Sequence, residues 1–244
     1  MIRLKSVYKA FDRPVLRGVD LEVPQGCLYG LIGPGASGKS LTLKVITGLI
    51  RPDAGRVSVD GENVLALAGA ELQRLQSRIG MLFQNNALFD FMSVAENIAF
   101  PLRRLFDLPE AEISERVRER LERVSLRGFE ERVPAGLSGG QKKRVGVARA
   151  TITRANVILY DEPAAGLDPV TSQRIFELLK HEQRASGATV VMVSSDLERL
   201  LTVTDRVGVM LKGRLIFDGT TEQAFASDNP YVHQFVHGLA EGPL

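Results

Sequence analysis

"GPGASGKS", residues 33 to 40, lies between an apolar run, "CLYGLI", and a stretch from Lys39 to Leu49 whose apolar residues recur at helical spacing. It fits G-x-x-x-x-G-K-[ST] in the setting that motif requires, after a buried strand and opening a helix. Glycines there let successive backbone N–H groups curl round phosphate oxygens, and the helix N-terminus adds a favourable field. Lys39 is placed to reach the β- and γ-phosphates of a nucleotide, and Ser40 to ligate Mg²⁺. An ordinary glycine-rich turn is the competing reading.

A second stretch, "NVILYDEP" at 156 to 163, supplies acid. Four apolar residues, Val157 to Tyr160, carry two carboxylates to the end of a buried strand. Desolvating two like charges together is costly, so the pair points to chemistry rather than to packing. Asp161 suits a Mg²⁺ ion held through water, and Glu162 suits the polarisation of an attacking water. The alternative is a solvated turn, since Pro163 breaks the strand at that point.

Between these stretches sits "LSGGQKKRVGVARA", 137 to 150. Ser138, Gly139 and Gly140 open a helix whose first N–H groups offer a second anion site. A plain helix cap is the simpler reading of S-G-G taken alone. The order of the three segments, however, resembles that of the ATP-binding cassette (ABC) ATPases, and the resemblance covers almost the whole chain.

The resemblance implies an α/β fold of the P-loop NTPase type, with a RecA-like parallel sheet core, an antiparallel β subdomain and an inserted helical subdomain. It implies ATP and Mg²⁺, with the nucleotide held by Gly33, Pro34, Gly35, Ala36, Ser37, Gly38, Lys39, Ser40 and Leu41. Two cassettes pack head to tail, so that Ser138, Gly139, Gly140 and Gln141 of one complete the ATP site of the other. Asp168 closes "AGLD" (165 to 168), which matches the loop that crosses to the opposite site. Phe11 stands where an aromatic stacks on adenine, with a core phenylalanine as the alternative. Gln84, ending "IGMLFQ", matches the glutamine that senses Mg²⁺, the attacking water and the transmembrane partner. On this reading Ser40, Gln84 and Asp161 serve the metal, and Lys39, Gln84, Glu162 and Ser195 serve hydrolysis.

Ser195 departs from the pattern. The family ends the strand "TVVMVSSD" with a histidine before Asp, which contacts the γ-phosphate and aligns water and glutamate; the register puts Ser195 there. A serine hydroxyl both donates and accepts, but it is shorter and carries no positive charge. A bridging water compensates in part. His181, on a predicted helix, and His233 and His237, in the tail, do not replace it. Slow hydrolysis is expected, with Ser194 as the alternative residue facing the nucleotide.

Composition excludes other classes. Lys plus Arg exceed Asp plus Glu by only 31 to 29, so no basic surface for nucleic acid is indicated. In "PEAEISERVRERLERV" Ile113, Val117, Leu121 and Val124 share one helical face, and alternating Glu and Arg solvate the rest. The single Cys27 excludes an intramolecular disulfide and a multi-cysteine metal site, and reads as a small core residue. "MIRLKSVYKAF" lacks the apolar segment of a signal peptide, and no stretch approaches the ~18 apolar residues of a membrane span. A cytosolic or peripheral protein is expected, on the cytoplasmic face of the inner membrane if it serves a transporter. No N-K-x-D guanine-reading motif appears, which disfavours a GTPase.

Two segments narrow the family. "FQNNALFDFMSVAENIAFPLR", 83 to 103, and the tail "VHQFVHGLAEGPL" resemble the Mla/Mce-type lipid-transport ATPases. That group implies permease subunits, a second cassette (a homodimer), an Mce-domain substrate-binding protein and, in several systems, a STAS-domain protein. The cargo is phospholipid or a related lipid moved between membranes. An import or lipoprotein-extraction cassette shares every catalytic motif and remains the alternative. A nucleotide-binding regulatory subunit is another, because of Ser195. The segment after Gln84 is expected to form the permease-docking groove, with Leu88, Phe89, Phe91, Met92, Phe100 and Leu102 as apolar surface beside Asn85 and Asn86; some of these belong to the core, and the exposed ones mark the partner site.

The expected organisation is an ATPase domain over 1–220, with the helical subdomain at about 86–150, then a helical tail over 221–244. Tyr231, Phe235 and Leu239 fall at helical spacing there, either clasping a second cassette or packing on this one. "RVGVMLKGRLIFDG" predicts a hairpin about Lys212-Gly213.

Overall fold

Strands β1 (Ile2–Ala10) and β2 (Pro14–Val23) alternate apolar and polar residues, burying Ile2, Leu4 and Val7 on one strand and Leu16, Val19, Leu21 and Val23 on the other. The shift from Leu4 to Val7 is a bulge at Ser6, whose φ of 49° breaks the period of two and whose N–H donates to Asp20. β4 (Ala54–Val59) and β5 (Glu62–Asn63) complete an antiparallel sheet of order β2-β1-β4-β5. Asp60 and Gly61, both at positive φ, make the two-residue turn between the last two strands.

The computed structural model describes residues 1–244, which form two units: Met1–Gln73 with Thr189–Leu244, and Arg74–Ala188. The first unit holds the antiparallel sheet and a set of continuous apolar strands. β3 (Leu28–Ile32) is buried at every residue and leads through a loop into α1 (Lys39–Ile46). α2 (Gly69–Gln76) straddles the division in sequence. β8 (Thr189–Val193) also buries every residue and lies parallel to β3, Leu31 opposite Val193. α7 (Leu197–Val203) follows it, and β9 (Arg206–Leu211) lies parallel to β3 on its other side. Burial on both faces is what such unbroken apolar runs require. β9 turns back into β10 (Arg214–Thr220) through Lys212 and Gly213 at φ 47° and 80°, the hairpin expected there.

The tail belongs to the first unit. α8 (Thr221–Phe225) packs on β9, β10 and α9 (Pro230–His237), which buries Val232 and Val236. Gly238, at φ 63°, ends α9, so Leu239 falls beyond the helix and does not continue the Tyr231–Phe235 spacing. The Gln234 side chain then folds the last residues back, donating to the Leu239 carbonyl and accepting from Leu244 N–H.

In the second unit β6 (Ile79–Leu82) runs parallel to β7 (Val157–Asp161), Leu82 opposite Tyr160. Three helices separate them in sequence: α3 (Val94–Leu105), opened by a Ser93–Glu96 capping box, α4 (Glu110–Arg123) and α5 (Gly139–Thr151). α4 buries Ile113, Val117 and Leu121 as its periodicity predicts. α6 (Pro169–Ser186) follows β7 and stops at Gly187 in the left-handed region. α5 seats closely on β6: a Cβ at Gly80 would lie 2.0 Å from the Ala150 carbonyl, and one at Gly146 would lie 2.6 Å from Leu82. Only glycine allows that approach.

Candidate functional site

In the first unit the phosphate loop hangs from the carboxyl end of β3. Gly33 sits at φ 142° with no room for a side chain, since a Cβ would lie 2.0 Å from the Met210 carbonyl. Gly38, at φ 102°, caps α1 without a side-chain bond and lies against Leu16 at the start of β2. The first turn of α1 carries no acid, so the field at its N-terminus is uncompensated. Lys39 folds its ammonium back onto the loop, donating to the carbonyls of Gly33 (2.7 Å) and Pro34 (2.8 Å). An ammonium held by carbonyls at the rim of an N–H cradle is the arrangement that polyphosphate recognition needs. Gly35 and Ala36 at the tip are exposed, Ser37 is buried, and Ser40 and Leu41 are half-buried.

Phe11 and Ser195 are the other residues of this unit expected at the site. Phe11 is 61% exposed in the turn that leads into β2, which rules out the core reading. Lys9 covers one side of its ring at 5.4 Å. The parallel register of β3 and β8 places Ser194 and Ser195 at the same strand end as Gly33. Ser194 is buried and its hydroxyl accepts the Asp196 N–H, whereas Ser195 is exposed. Asp196 caps α7 and pairs with Arg199.

In the second unit the parallel register of β6 and β7 brings Gln84 and the Asp161–Glu162 pair to one end. Asp161 is 3% exposed; Glu162 is half-buried and held at φ 50°. Asn86 and Ala87, in the turn after Gln84, are also left-handed, at 61° and 51°. Such backbone costs of order 1–3 kcal/mol per residue and persists only where surroundings fix it.

Those surroundings are cations of α5 that sequence reasoning missed. Lys143 is buried and donates to the main-chain carbonyls of Gln84 (2.6 Å) and Glu162 (3.0 Å). Burial pushes its ammonium below the usual lysine range, an effect that the charges of Glu162 and Asp161 oppose. Arg149 donates to the carbonyls of Asn86 and Ala87. Asn97, also missed, pins the next turn: its side-chain amide donates to the carbonyls of Phe89, Met92 and Ser93 and accepts the Phe89 N–H. Acceptors that are main-chain oxygens leave no residue signature to find.

The segment "SGGQ" forms a capping box, Ser138 accepting from Gln141 N–H while the Gln141 side chain accepts from Ser138 N–H. The plain-cap reading therefore describes its local geometry. Gly140 lies against the start of α6, where a Cβ would meet Thr171 at 2.7 Å. Asp168 caps α6 through the N–H groups of Val170 and Thr171, and hydrogen bonds from Thr171 hold its carboxyl below the usual range.

Of the expected docking residues, Leu102 is fully buried core and Phe91 is 81% exposed. The Phe89 ring meets those of Phe91 and Phe100 at a tilt of 52° and 53°, and Phe83, Ala87, Phe89, Phe100, Leu105 and Arg149 line a cavity of about 390 Å³.

No cluster of three or more His, Cys, Asp or Glu side chains surrounds a common point. Asp161, a buried carboxylate, and Ser40, a hydroxyl in the first turn of α1, are each the kind of hard oxygen donor that Mg²⁺ accepts beside its waters and phosphate oxygens, and neither unit by itself offers an all-protein cage.

A family model described as ABC transporter matches residues 16–165. The methionine import ATP-binding protein MetN of Caulobacter vibrioides is 42% identical over 228 residues, 92% of this chain and 68% of that protein. The intermembrane phospholipid transport ATP-binding protein MlaF of Haemophilus influenzae is 36% identical over 245 residues, covering 100% of this chain and 93% of MlaF. Among solved structures, the dimeric cassette MJ0796 in a post-hydrolysis state with ADP and Pi superposes with a TM-score of 0.84. It is 30% identical, over 91% of this chain and 99% of that one.

Proposed function

This chain belongs to the ABC transporter family, and from that premise we propose how it works and what it serves. It is an ATP-binding subunit that hydrolyses ATP to drive transport, and such subunits act as dimers with membrane permeases. In the proposed site the loop from Gly33 to Leu41 binds the phosphates, Lys39 meets the β- and γ-phosphates, and Phe11 stacks on adenine. Ser138, Gly139, Gly140, Gln141 and Asp168 act on the nucleotide of the second copy. Glu162 polarises the attacking water and Gln84 reports its position to the permease. Ser40, Gln84 and Asp161 hold Mg²⁺, which when bound neutralises charge on the transferring phosphoryl group. Ser195 supplies a hydroxyl where the family has histidine, and hydrolysis is correspondingly slow.

The proposed cargo is phospholipid or a related lipid. The observation that carries it is identity to MlaF running through the whole chain, with the 83–103 and tail wording inside it. An Mce-domain protein and a STAS-domain protein are the further proposed partners, and the cytoplasmic face of the inner membrane the proposed location. No helix is long and apolar enough to cross a membrane. The 42% identity to MetN favours a second reading, methionine-type import.

The test is to purify the tagged chain with its co-purifying membrane subunits and reconstitute them in liposomes. ATP-dependent transfer of a fluorescent phospholipid, absent with Glu162→Gln, is the expected result. Stimulation of hydrolysis by methionine and a binding protein, with no lipid transfer, would replace the lipid reading by the import one.

A further inference from the structure

The phosphate-binding machinery above leaves α5 unexplained beyond its first turn. One face of this helix carries Lys143, Gly146 and Arg149, at spacings of three that place them in line. Gly146 lets the helix sit against Leu82 of β6, which brings the two cations within reach of the turn that follows. Between them they hold four main-chain carbonyls: Gln84 and Glu162 by Lys143, Asn86 and Ala87 by Arg149. Three of those four residues, Asn86, Ala87 and Glu162, are the left-handed ones. The strained backbone and its clamp therefore coincide.

We propose that Lys143 is a positioning residue for ATP hydrolysis, tying the backbone of Gln84 to the backbone of Glu162 so that one ammonium sets both side chains. The inference rests on the roles assigned to Gln84 and Glu162 above. Lys143 touches neither carboxylate nor nucleotide-binding loop through these bonds; it acts through main-chain oxygens. A tetrahedral ammonium on a flexible stem suits two acceptors on separate segments, 59 and 19 residues away along the chain. The same turn lines the apolar cavity, through Phe83, Ala87 and Phe89, and Arg149 lines it too. A permease segment entering that cavity displaces the turn, and the Gln84–Lys143–Glu162 connection passes the displacement to the base of the carboxylate. Of the two acceptors of Lys143, Glu162 is left-handed, so the linkage ends on backbone that its surroundings must hold in place.

The experiment compares the wild type, Lys143→Met, Lys143→Arg and Glu162→Gln as the full chain with its co-purifying membrane subunits. Lys143→Met is expected to lower kcat about 10- to 100-fold while the KM for ATP stays within about threefold. Lys143→Arg, which keeps charge and donors, is expected to recover most of the loss. Amide hydrogen exchange in 84–88 and 162–165 is expected to quicken in Lys143→Met, with β7 and α6 unchanged. Hydrolysis by Lys143→Met within about twofold of the wild type, or a loss not recovered by Lys143→Arg, overturns the proposal. So does unchanged exchange in both segments. If Lys143→Met does not fold, Lys143→Gln, shorter and uncharged, carries the same comparison. Wild-type hydrolysis no faster than Glu162→Gln is a different failure: it removes the role of Glu162 and this inference with it.

Discussion

Arg120 of α4 and Glu182 of α6 form an ion pair at 8% and 5% side-chain exposure, and the guanidinium also donates to the Thr151 carbonyl at the end of α5. Three helices of the second unit thus meet at one buried charge. Burial lowers the affinity of Arg120 for its proton, and the Glu182 charge opposes that effect. Removing one partner strands the other: Arg120→Met is expected to cost about 3–5 kcal/mol, read from urea unfolding. Replacing both, as Arg120→Met with Glu182→Leu, is expected to recover much of that loss. Equal destabilisation in the single and double variants would show that packing, not the stranded charge, sets the cost.

Gly33 and Lys39 separate fold from function in the phosphate loop. Gly33→Ala drives a Cβ into the Met210 carbonyl and is expected to lower stability by at least about 2 kcal/mol as well as ATP binding. Lys39→Ala removes an ammonium from a half-buried position and is expected to cost about 1 kcal/mol or less, while ATP binding weakens at least tenfold. Thermal unfolding and fluorescent-nucleotide titration on the same samples distinguish the two.

Ser195→His is expected to speed hydrolysis at least about tenfold, since one aligned contact to developing phosphoryl charge is typically worth about 100- to 1000-fold. Ser195 is exposed where Ser194 is buried and engaged, so Ser194→His is expected to disturb folding without raising the rate. A rate for Ser195→His equal to the wild type would show that a water already fills the role.

Cys27 titrates late. It lies one residue before β3, and burial pushes its thiol up to about 11, with the Asp205 charge adding to the effect. Alkylation at pH 8 is expected to run about 100-fold slower than for an ordinary exposed cysteine, because the thiolate is the nucleophile. The folded-state value is the higher one, so the thiol's contribution to stability is complete below pH 9 and fades as pH rises towards 11. Rapid alkylation of the native chain at pH 8 would contradict the burial.

Phe91, 81% exposed beside Phe89, is expected to serve contact rather than core. Phe91→Asp should leave stability within about 0.5 kcal/mol and reduce co-purification of membrane subunits. Loss of stability without loss of partners would return this face to the fold.

How much was legible depended on how local the physics is. The glycine-rich loop between β3 and α1, the cap at Ser138, the Lys212–Gly213 hairpin and the stripe of α4 rest on backbone preferences and periodicities that operate within about ten residues, and all stand where the sequence puts them. The end of α9 was misjudged because apolar spacing carried through to Leu239 while Gly238, one residue earlier, stopped the helix. That Leu102 is one of the core members of the 88–102 set and Phe91 an exposed one had to come from the structure, because composition does not say which side of α3 meets the core.

By itself, then, the sequence determined the class of fold and the nucleotide chemistry, because each is written in contiguous residues whose spacing has a direct physical meaning. Only the tertiary structure decided which serine is exposed, and that Lys143 and Arg149 hold the turn after Gln84 and the backbone of Glu162, the proposed catalytic carboxylate. Their acceptors are main-chain carbonyls, identical in every residue, and they are brought within 3 Å of Lys143 by the close seating of α5 on β6 that Gly80 and Gly146 permit.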